Sequence, residues 1–304
     1  MQTITASSNL AETIFEPLSI PARAGIGLKA QHVAEILETR ADIGFFEVHA
    51  ENYMGAGGMP HAQLTQIREK YALSVHGVGM SIGGENQIDK EHLARFKAVV
   101  HRYEPGLVSE HLAWSTHDDI FYNDLLPVPY TKETLQRVVE HVQVVQDALG
   151  RQILIENPST YVVFEQSTMS EVEFMGEIAK QSGCGLLFDV NNVFVSAVNH
   201  ETSPTEYIES YPLHLVQELH LGGHAEDKDD AGRRLLIDAH DREIADDVWD
   251  LYELVLGKTG PLPSLIEWDN DVPEWSVLAG EASLADELIG RNIVPSVKSS
   301  SGMN

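Results

Sequence analysis

The sequence predicts a single (β/α)₈ TIM barrel of the α/β class, and three observations carry that prediction. Eight short β-branched or apolar runs recur along the chain, helix-period segments separate them, and nearly every run turns polar at its C-terminal end. With 304 residues and 43 % hydrophobic content the chain suffices for one large core. Barrels of this class often exceed about 250 residues as one domain. A doubly wound open sheet is the alternative, but "GIGLKA" lacks the full G-x-G-x-x-G spacing of its phosphate turn.

Residues 1–22 read as a flexible N-terminal arm, residues 23–294 as the barrel domain, and "PSVKSSSGMN" (295–304) as a disordered tail. Within the barrel "AGIGLK" leads to the helix-period "AQHVAEILETR", and "IGFFEVHAEN" to "HAQLTQIREKY". "ALSVHGVG" leads to "DKEHLARFKAVVHRY", with Asp89 as N-cap, and "GLVSEHLAW" to "TKETLQRVVEHVQVVQDALG". That last helix is the clearest, with Thr131 as cap, Thr134 in its first turn and Gly150 ending it. "QILIENP" precedes "MSEVEFMGEIAKQSG", and "GLLFDVNN" precedes "SPTEYIESYP". "LVQELHLGG", after a long loop, precedes "REIADDVWDLYELVLG", and "PSLIEWDND" precedes "VPEWSVLAGEASLADELIG".

The formal net charge is −27, from 47 acids against 20 bases. Such a chain repels phosphate backbones, so nucleic acid is not an expected partner; cationic partners or metal ions are. One cysteine, Cys184, excludes an internal disulfide and a thiolate metal cluster, and its apolar context reads as core. The N-terminus has no basic region followed by an apolar stretch, and no apolar run approaches the roughly 20 residues of a membrane span. A soluble cytoplasmic protein without membrane partners is the expectation.

The polar strand ends carry the functional information. In order they hold Glu47, His49 and Glu51; His76; Glu110 and His111; Glu156 and Asn157; Asp189, Asn191 and Asn192; Glu218, His220 and His224; and Glu267 and Asp269. A parallel barrel brings these ends to one face, where such enzymes place their active sites. Bases are almost absent there, Lys29 being the exception, so buried carboxylates need a metal to offset their desolvation. The pleat puts Glu47, His49 and Glu51 on one strand face and Glu218 with His220 on another. Glu110 and His111 point oppositely, one to the mouth and one to the helix layer. Asp189 and Asn191 share a face if the strand persists that far, which leaves Asn192 in a loop.

Imidazoles mixed with carboxylates and no thiolate suit iron, manganese or zinc better than copper(I). The donors exceed the needs of one ion, so two or three ions bridged by carboxylates fit better. "LIDAHD" is acid- and histidine-rich for a connecting loop, and from there Asp238 and His240 can drop over the mouth to complete the site.

The motifs "FFEVHAENYMG", "LSVHGVGMSIGG", "VSEHLAWS", "ILIENPSTY", "LLFDVNNVFVSAVNH", "ELHLGGH", "LIDAHD" and "LIEWDNDVPEW" closely resemble those of the multinuclear non-heme iron-dependent oxidases. That family was long known only as a domain of unknown function and includes the methanobactin-biosynthesis oxidase. The resemblance covers residues 23 to 290 with the motifs in the family's order. It implies a xylose-isomerase-like TIM barrel holding two or three irons (Fe), a mixed-valent pair among them activating O₂. It implies a ribosomally made precursor peptide as substrate, commonly modified at cysteine, and a separate partner protein that presents the peptide.

Carried over by position, the resemblance implies metal ligation by His49, His76, Glu110, Glu156 or Asn157, Asp189, His220, Asp238, His240 and Glu267, with His224 a further candidate. Asp269 is the implied proton acceptor for a substrate thiol or amide. Three other readings use the same residues. A divalent-metal sugar isomerase or epimerase of the same superfamily would work without O₂ or iron. A three-zinc phosphodiesterase conflicts with the charge of the chain, and a non-catalytic metal- or peptide-binding scaffold would bind metal without consuming O₂.

Overall fold

The computed structural model describes residues 15, 18–117 and 120–292. Its strands and helices alternate as the hydrophobic pattern requires. They are β1 (Ala24–Gly27), α1 (Val33–Thr39), β2 (Phe45–His49), α2 (Met59–Arg68), β3 (Ala72–Gly77), α3 (Lys90–Tyr103) and β4 (Leu107–His111). Then follow β5 (Trp114–His117), β6 (Ile120–Leu126), α4 (Lys132–Leu149), β7 (Leu154–Glu156), α5 (Glu171–Ser182), β8 (Gly185–Asp189), α6 (Val190–Asn199) and α7 (Pro204–Ser210). The chain closes with β9 (Val216–Gly222), β10 (Ala225–Lys228), β11 (Arg234–Ile237), α8 (Asp246–Thr259), β12 (Ser264–Glu267) and α9 (Trp275–Arg291).

The eight predicted strands form a closed barrel in the order β1-β12-β9-β8-β7-β4-β3-β2. Its neighbouring strands pair in parallel throughout, so their C-terminal ends share one face. The strands read as apolar runs because helices cover their outer side. In α4 the stripe Leu135, Val138, Val139, Val142 and Val145 is buried, at the spacing one helix face requires. Thr131 accepts from the Thr134 N–H, Asp89 accepts from the Glu91 N–H, and Ser170 with Glu173 forms a capping box on α5. Such caps contribute about 1 kcal/mol each.

Three features differ from the sequence reading or extend it. The extended stretch ends at Asp189, and α6 starts at the next residue, so Asn191 and Asn192 are helical. The cause is local: Asp189 Oδ1 accepts the Asn192 N–H at 2.6 Å, and Val190, Val193, Phe194 and Ala197 bury one face. Two antiparallel hairpins, β5–β6 and β10–β11, extend the loops after β4 and β9. Finally, of the expected arm, residues 18–22 run under the barrel, where Ile20 packs against Phe45, Ala72 and Leu265.

Gly25 makes room for that floor, since a Cβ there would stand 2.5 Å from the Phe45 ring. Residues 1–14 and the tail 295–304 lie outside the described residues. No helix among the described residues is long and apolar enough to cross a membrane.

Candidate metal centre

At the C-terminal mouth the donor atoms of several strands converge. Five sets of three have one donor atom per residue within 4.8 Å of one another. They are His76, His111 and Glu156; Glu47, Glu218 and His220; His49, Glu267 and Asp269; Glu156, Asp189 and His220; and Asp189, His240 and Glu267. Glu156, Asp189, His220 and Glu267 each belong to two sets, so the sets form one continuous cluster.

The pleat explains why these side chains meet. In β4, Ser109 and His111 point inward and Glu110 outward. His111 Nε2 lies 2.8 Å from His76 Nε2, and its Nδ1 lies 3.1 Å from Glu156 Oε2. The Ser109 hydroxyl sits 2.7 Å from His76 Nδ1; an Nδ1–H donated to it fixes the ring and leaves Nε2 bare for a metal. The Glu110 carboxylate instead accepts the backbone N–H groups of Met80 and His111, next to Phe96 of α3. The structure thus brings His111 to the mouth and leaves the expected ligand Glu110 in the helix layer.

The loop after β11 is stapled over the mouth. The His240 N–H donates to Gly223 O, and the Asp269 and Asn270 N–H groups donate to His240 O. His240 has φ 47°, a left-handed conformation that non-glycine residues rarely hold without such restraint. Gly222 makes the approach possible, because a Cβ there would lie 2.6 Å from the His240 ring. His240 Nε2 is 2.8 Å from Asp238 Oδ1, so "LIDAHD" places both residues as its composition suggested.

Other expected ligands sit one layer back. Asn157 joins the ends of β7 and β8: its Oδ1 accepts the Asp189 N–H and its Nδ2 donates to Asp189 O. His224 Nδ1 is 2.8 Å from Asn191 Oδ1, and Asn191 Nδ2 donates to Asp238 Oδ1 at 2.7 Å. Ser159 donates to Asp238 Oδ2, and the Asp238 N–H donates to the Tyr161 hydroxyl. Asn157 and His224 therefore lie outside the converging sets, and Asp238 reaches them through His240.

Glu47, Glu218 and His111 converge on the cluster although sequence reasoning left them out of the ligand set. The signal was present for all three. Glu47 and Glu218 lie two residues before His49 and His220 on the same strand face, and His111 is the inward partner of the pair it forms with Glu110.

The donor set is one that a cation fits. Both oxygens of Glu47, one oxygen each of Glu156, Asp189, Glu218 and Glu267, both nitrogens of His220 and Nε2 of His240 are buried without a hydrogen bond. His220 stands 3.2 Å from Glu267 and 3.5 Å from Glu47, near enough to attract but not aligned to bond. Each orphaned buried group costs about 1–3 kcal/mol, and more when charged. Burial, and then neighbouring acids, push the carboxyls of Asp189 and Glu218 well above their usual range, and burial does the same for Glu156. Burial also opposes the ionised form of Glu267, but His220 and His240 hold it near a pKa of about 2. His111 is pushed down to about 4, first by burial. Coordination would relieve these opposed demands together, so the residues fit bound metal.

Asp269 is placed differently. Its carboxylate meets the Lys29 ammonium and stands 3.6 Å from His240 Nδ1. Burial would raise its pKa, but His240 and then Lys29 hold it well below the carboxylate range. It is an anion that accepts hydrogen bonds rather than a strong base. Cys184, at the opposite end of β8 from Asp189, is buried, and burial pushes its thiol up to about 11; it is no ligand of this cluster.

Residues 23–289 match the family model described as the RiPP precursor modification enzyme MbnB/TglH/ChrH. A UPF0276 protein of Rhizobium meliloti is 54 % identical over 286 residues, covering 94 % of this chain and 93 % of that one. A UPF0276 protein of Paraburkholderia phytofirmans is 56 % identical over 267 residues, 88 % and 87 % of the two chains. Among solved structures, a xylose isomerase-like TIM barrel protein from Mycobacterium smegmatis in complex with magnesium superposes with a TM-score of 0.56 at 14 % identity. That match covers 86 % of this chain and 89 % of the other. The D-psicose 3-epimerase of Clostridium cellulolyticum H10 gives 0.56 at 14 % identity, over 89 % and 99 %. These two likenesses establish the xylose-isomerase-like barrel fold.

Proposed function

The chain belongs to the RiPP precursor modification enzyme family MbnB/TglH/ChrH, and on that premise we propose that it is an iron- and O₂-dependent oxidase of a ribosomally made precursor peptide, acting at cysteine. The observation that carries the reading is the mouth itself, where carboxylates and imidazoles of separate strands converge with their donor atoms unpartnered.

The donor chemistry favours iron. Imidazole and carboxylate without thiolate is a borderline-to-hard set, suited to iron in either oxidation state. Glu47, Glu156, Asp189, Glu218, Glu267 and Asp269 are offset at close range by Lys29. That many donors exceed the needs of one ion, and two or three ions fit them better. When bound, iron supplies a Lewis acid for a substrate thiolate and one-electron exchange with O₂.

The chain's own residues then do the rest. His76, His111 and Glu156 would hold metal on one side of the mouth and His49, Glu267 and Asp269 on another, with Asp189, His220 and His240 between them. Ser109, Asn191 and Ser159 orient His76 and Asp238 through hydrogen bonds. Asp269, kept anionic by Lys29, accepts a hydrogen bond from the substrate thiol or amide and so orients it. The barrel walls keep water from the buried donors, which strengthens each of these interactions. A separate protein presents the peptide to the mouth.

The test is metal analysis by mass spectrometry with Mössbauer spectroscopy, on protein made in iron-replete cells and purified without oxygen. O₂ uptake coupled to a mass change of a cysteine peptide completes it. Two or three irons with a coupled mixed-valent signal are expected. Stoichiometric zinc or manganese without iron, with turnover of a sugar in the absence of O₂, would replace this reading by isomerase or epimerase chemistry.

A further inference from the structure

Beside the metal mouth lies a cleft of about 880 Å³ between the β3–α3 loop and the β5–β6 hairpin. Resting on the peptide-substrate reading above, we propose that this cleft binds an extended segment of the peptide that carries acidic side chains between apolar ones.

Its walls offer three complementary features. The first is Arg95 of α3, exposed and without an ion pair or hydrogen bond among the described residues. An arginine in that state is open to a carboxylate from outside the chain. Its helix reverses the balance of the chain, with Lys90, Arg95, Lys97 and Arg102 against one acid, Glu91. The acid that lines the cleft, Asp89, is occupied in capping α3, and His92 is paired with Glu51. Asp89 keeps its charge at the helix end, and Arg95 is the cation the cleft presents to an occupant, its planar fork matching a carboxylate.

The second feature is a pair of carboxamides, Asn86 and Gln87, exposed in the β3–α3 loop and lining the cleft. Each offers both a donor and an acceptor, which is what the alternating N–H and C=O of an extended backbone require. The third is Phe121 of β6, 62 % exposed, an aromatic platform opposite the polar wall. A carboxylate, a backbone and an apolar side chain in sequence match a peptide, the substrate class read above.

The position suits the reaction. The cleft begins at Gly79, three residues beyond the donor His76, so a segment held there delivers the following residues to the mouth. The net charge of −27 works against acidic ligands only at long range. At physiological ionic strength the screening length is about 8 Å, so the nearest side chains decide.

The experiment uses the full chain, metal-loaded and metal-free. Two synthetic peptides with the same Leu and Phe positions are compared, one with Glu and one with Lys between them, each with a fluorescent label and a photo-crosslinking phenylalanine. The Glu peptide should bind by anisotropy and crosslink to residues 79–95, Thr116 or Phe121. Arg95→Glu should weaken it roughly ten-fold and strengthen the Lys peptide, and Phe121→Ser should weaken both. Binding should be the same with and without metal, since no converging donor lines the cleft. Equal binding by Arg95→Glu, or crosslinks confined elsewhere, would overturn the proposal. The oxidase reading fails separately: it would fall if the Glu peptide bound in the cleft yet an iron-loaded protein took up no O₂ with any cysteine peptide.

Discussion

His76 and His111 face each other across the mouth with Nε2 atoms 2.8 Å apart and ring planes at 79°. Neither ring has a carboxylate to itself; both lean on Glu156 Oε2, at 3.3 and 3.1 Å. Two neutral imidazoles converging on one carboxylate are arranged for a shared cation. His111→Ala should therefore lower the metal content of the isolated protein, and Glu110→Gln should leave it unchanged while weakening the β3–α3 loop. Ser109→Ala, which releases His76 Nδ1, should cost about ten- to a hundred-fold in metal affinity. Metal content by mass spectrometry and titration of the metal-free protein separate the three. A Glu110→Gln variant that loses metal as fully as His111→Ala would show that Glu110 itself faces the metal.

Gly222 makes a second test because its side chain is missing where His240 needs space. Gly222→Ala places a methyl 2.6 Å from the imidazole, and the loop behind it is tied at Gly223, Asp269 and Asn270. The ring has to give. We expect the variant to fold and to lose the part of the metal held by Asp189, His240 and Glu267, while the part at His76 and His111 stays. Spectroscopy that resolves the ions would show one signal lost; loss of every signal would mean that the sites load only together.

The fold was legible because strand runs and helix stripes obey two different periods, and because parallel strands must close or be capped. Much of the site was legible for a related reason. Buried acids without bases, such as Glu156, Asp189 and Glu267, are costly, and the same few strand ends repeat them. What could not be read was direction. The turn from strand to helix at Asp189 depends on one side chain capping its own successor, a contact that leaves no periodic trace. The roles of Asn157, Asn191 and His224 are likewise set by partners in distant segments. Glu110 entered the expected ligand set by its position in the family's motif, and the pleat alone left open which of Glu110 and His111 faces the mouth.

Glu218 and Glu47 give opposite signs for stability and binding. Their orphaned oxygens and mutual proximity are a burden on the metal-free protein. Glu218→Gln should raise the Tm of the metal-free form, each kcal/mol of relief corresponding to roughly 2–4 °C for a domain approaching this size. The same change should reduce the stabilisation that metal gives the wild type, since a carboxamide cannot replace an anionic donor in full. Calorimetry with and without metal checks both halves. A metal-free variant less stable than wild type would mean that Glu218 supports the barrel by itself, through the hydroxyl of Ser74.

Glu281 of α9 supplies a pH dependence remote from the metal. Burial first, and then the charge of Glu243, raise its carboxyl from 4.5 to about 7, although the Ile244 N–H favours the anion. Its Oε2 is buried without a partner. The folded protein thus holds a proton there that the unfolded chain has lost between those two values. The resulting stability is fully present below pH 4.5 and is lost as pH rises through 7. Glu281→Gln removes the titration. Its melting temperature should therefore exceed that of the wild type at pH 8 by several degrees, and the gap should close as the pH is lowered to about 4.5. Thermal melts of the metal-free proteins across that window measure the gap directly. A gap that stays constant with pH would show that Glu281 titrates as an ordinary surface acid and that any gain from glutamine comes from packing alone.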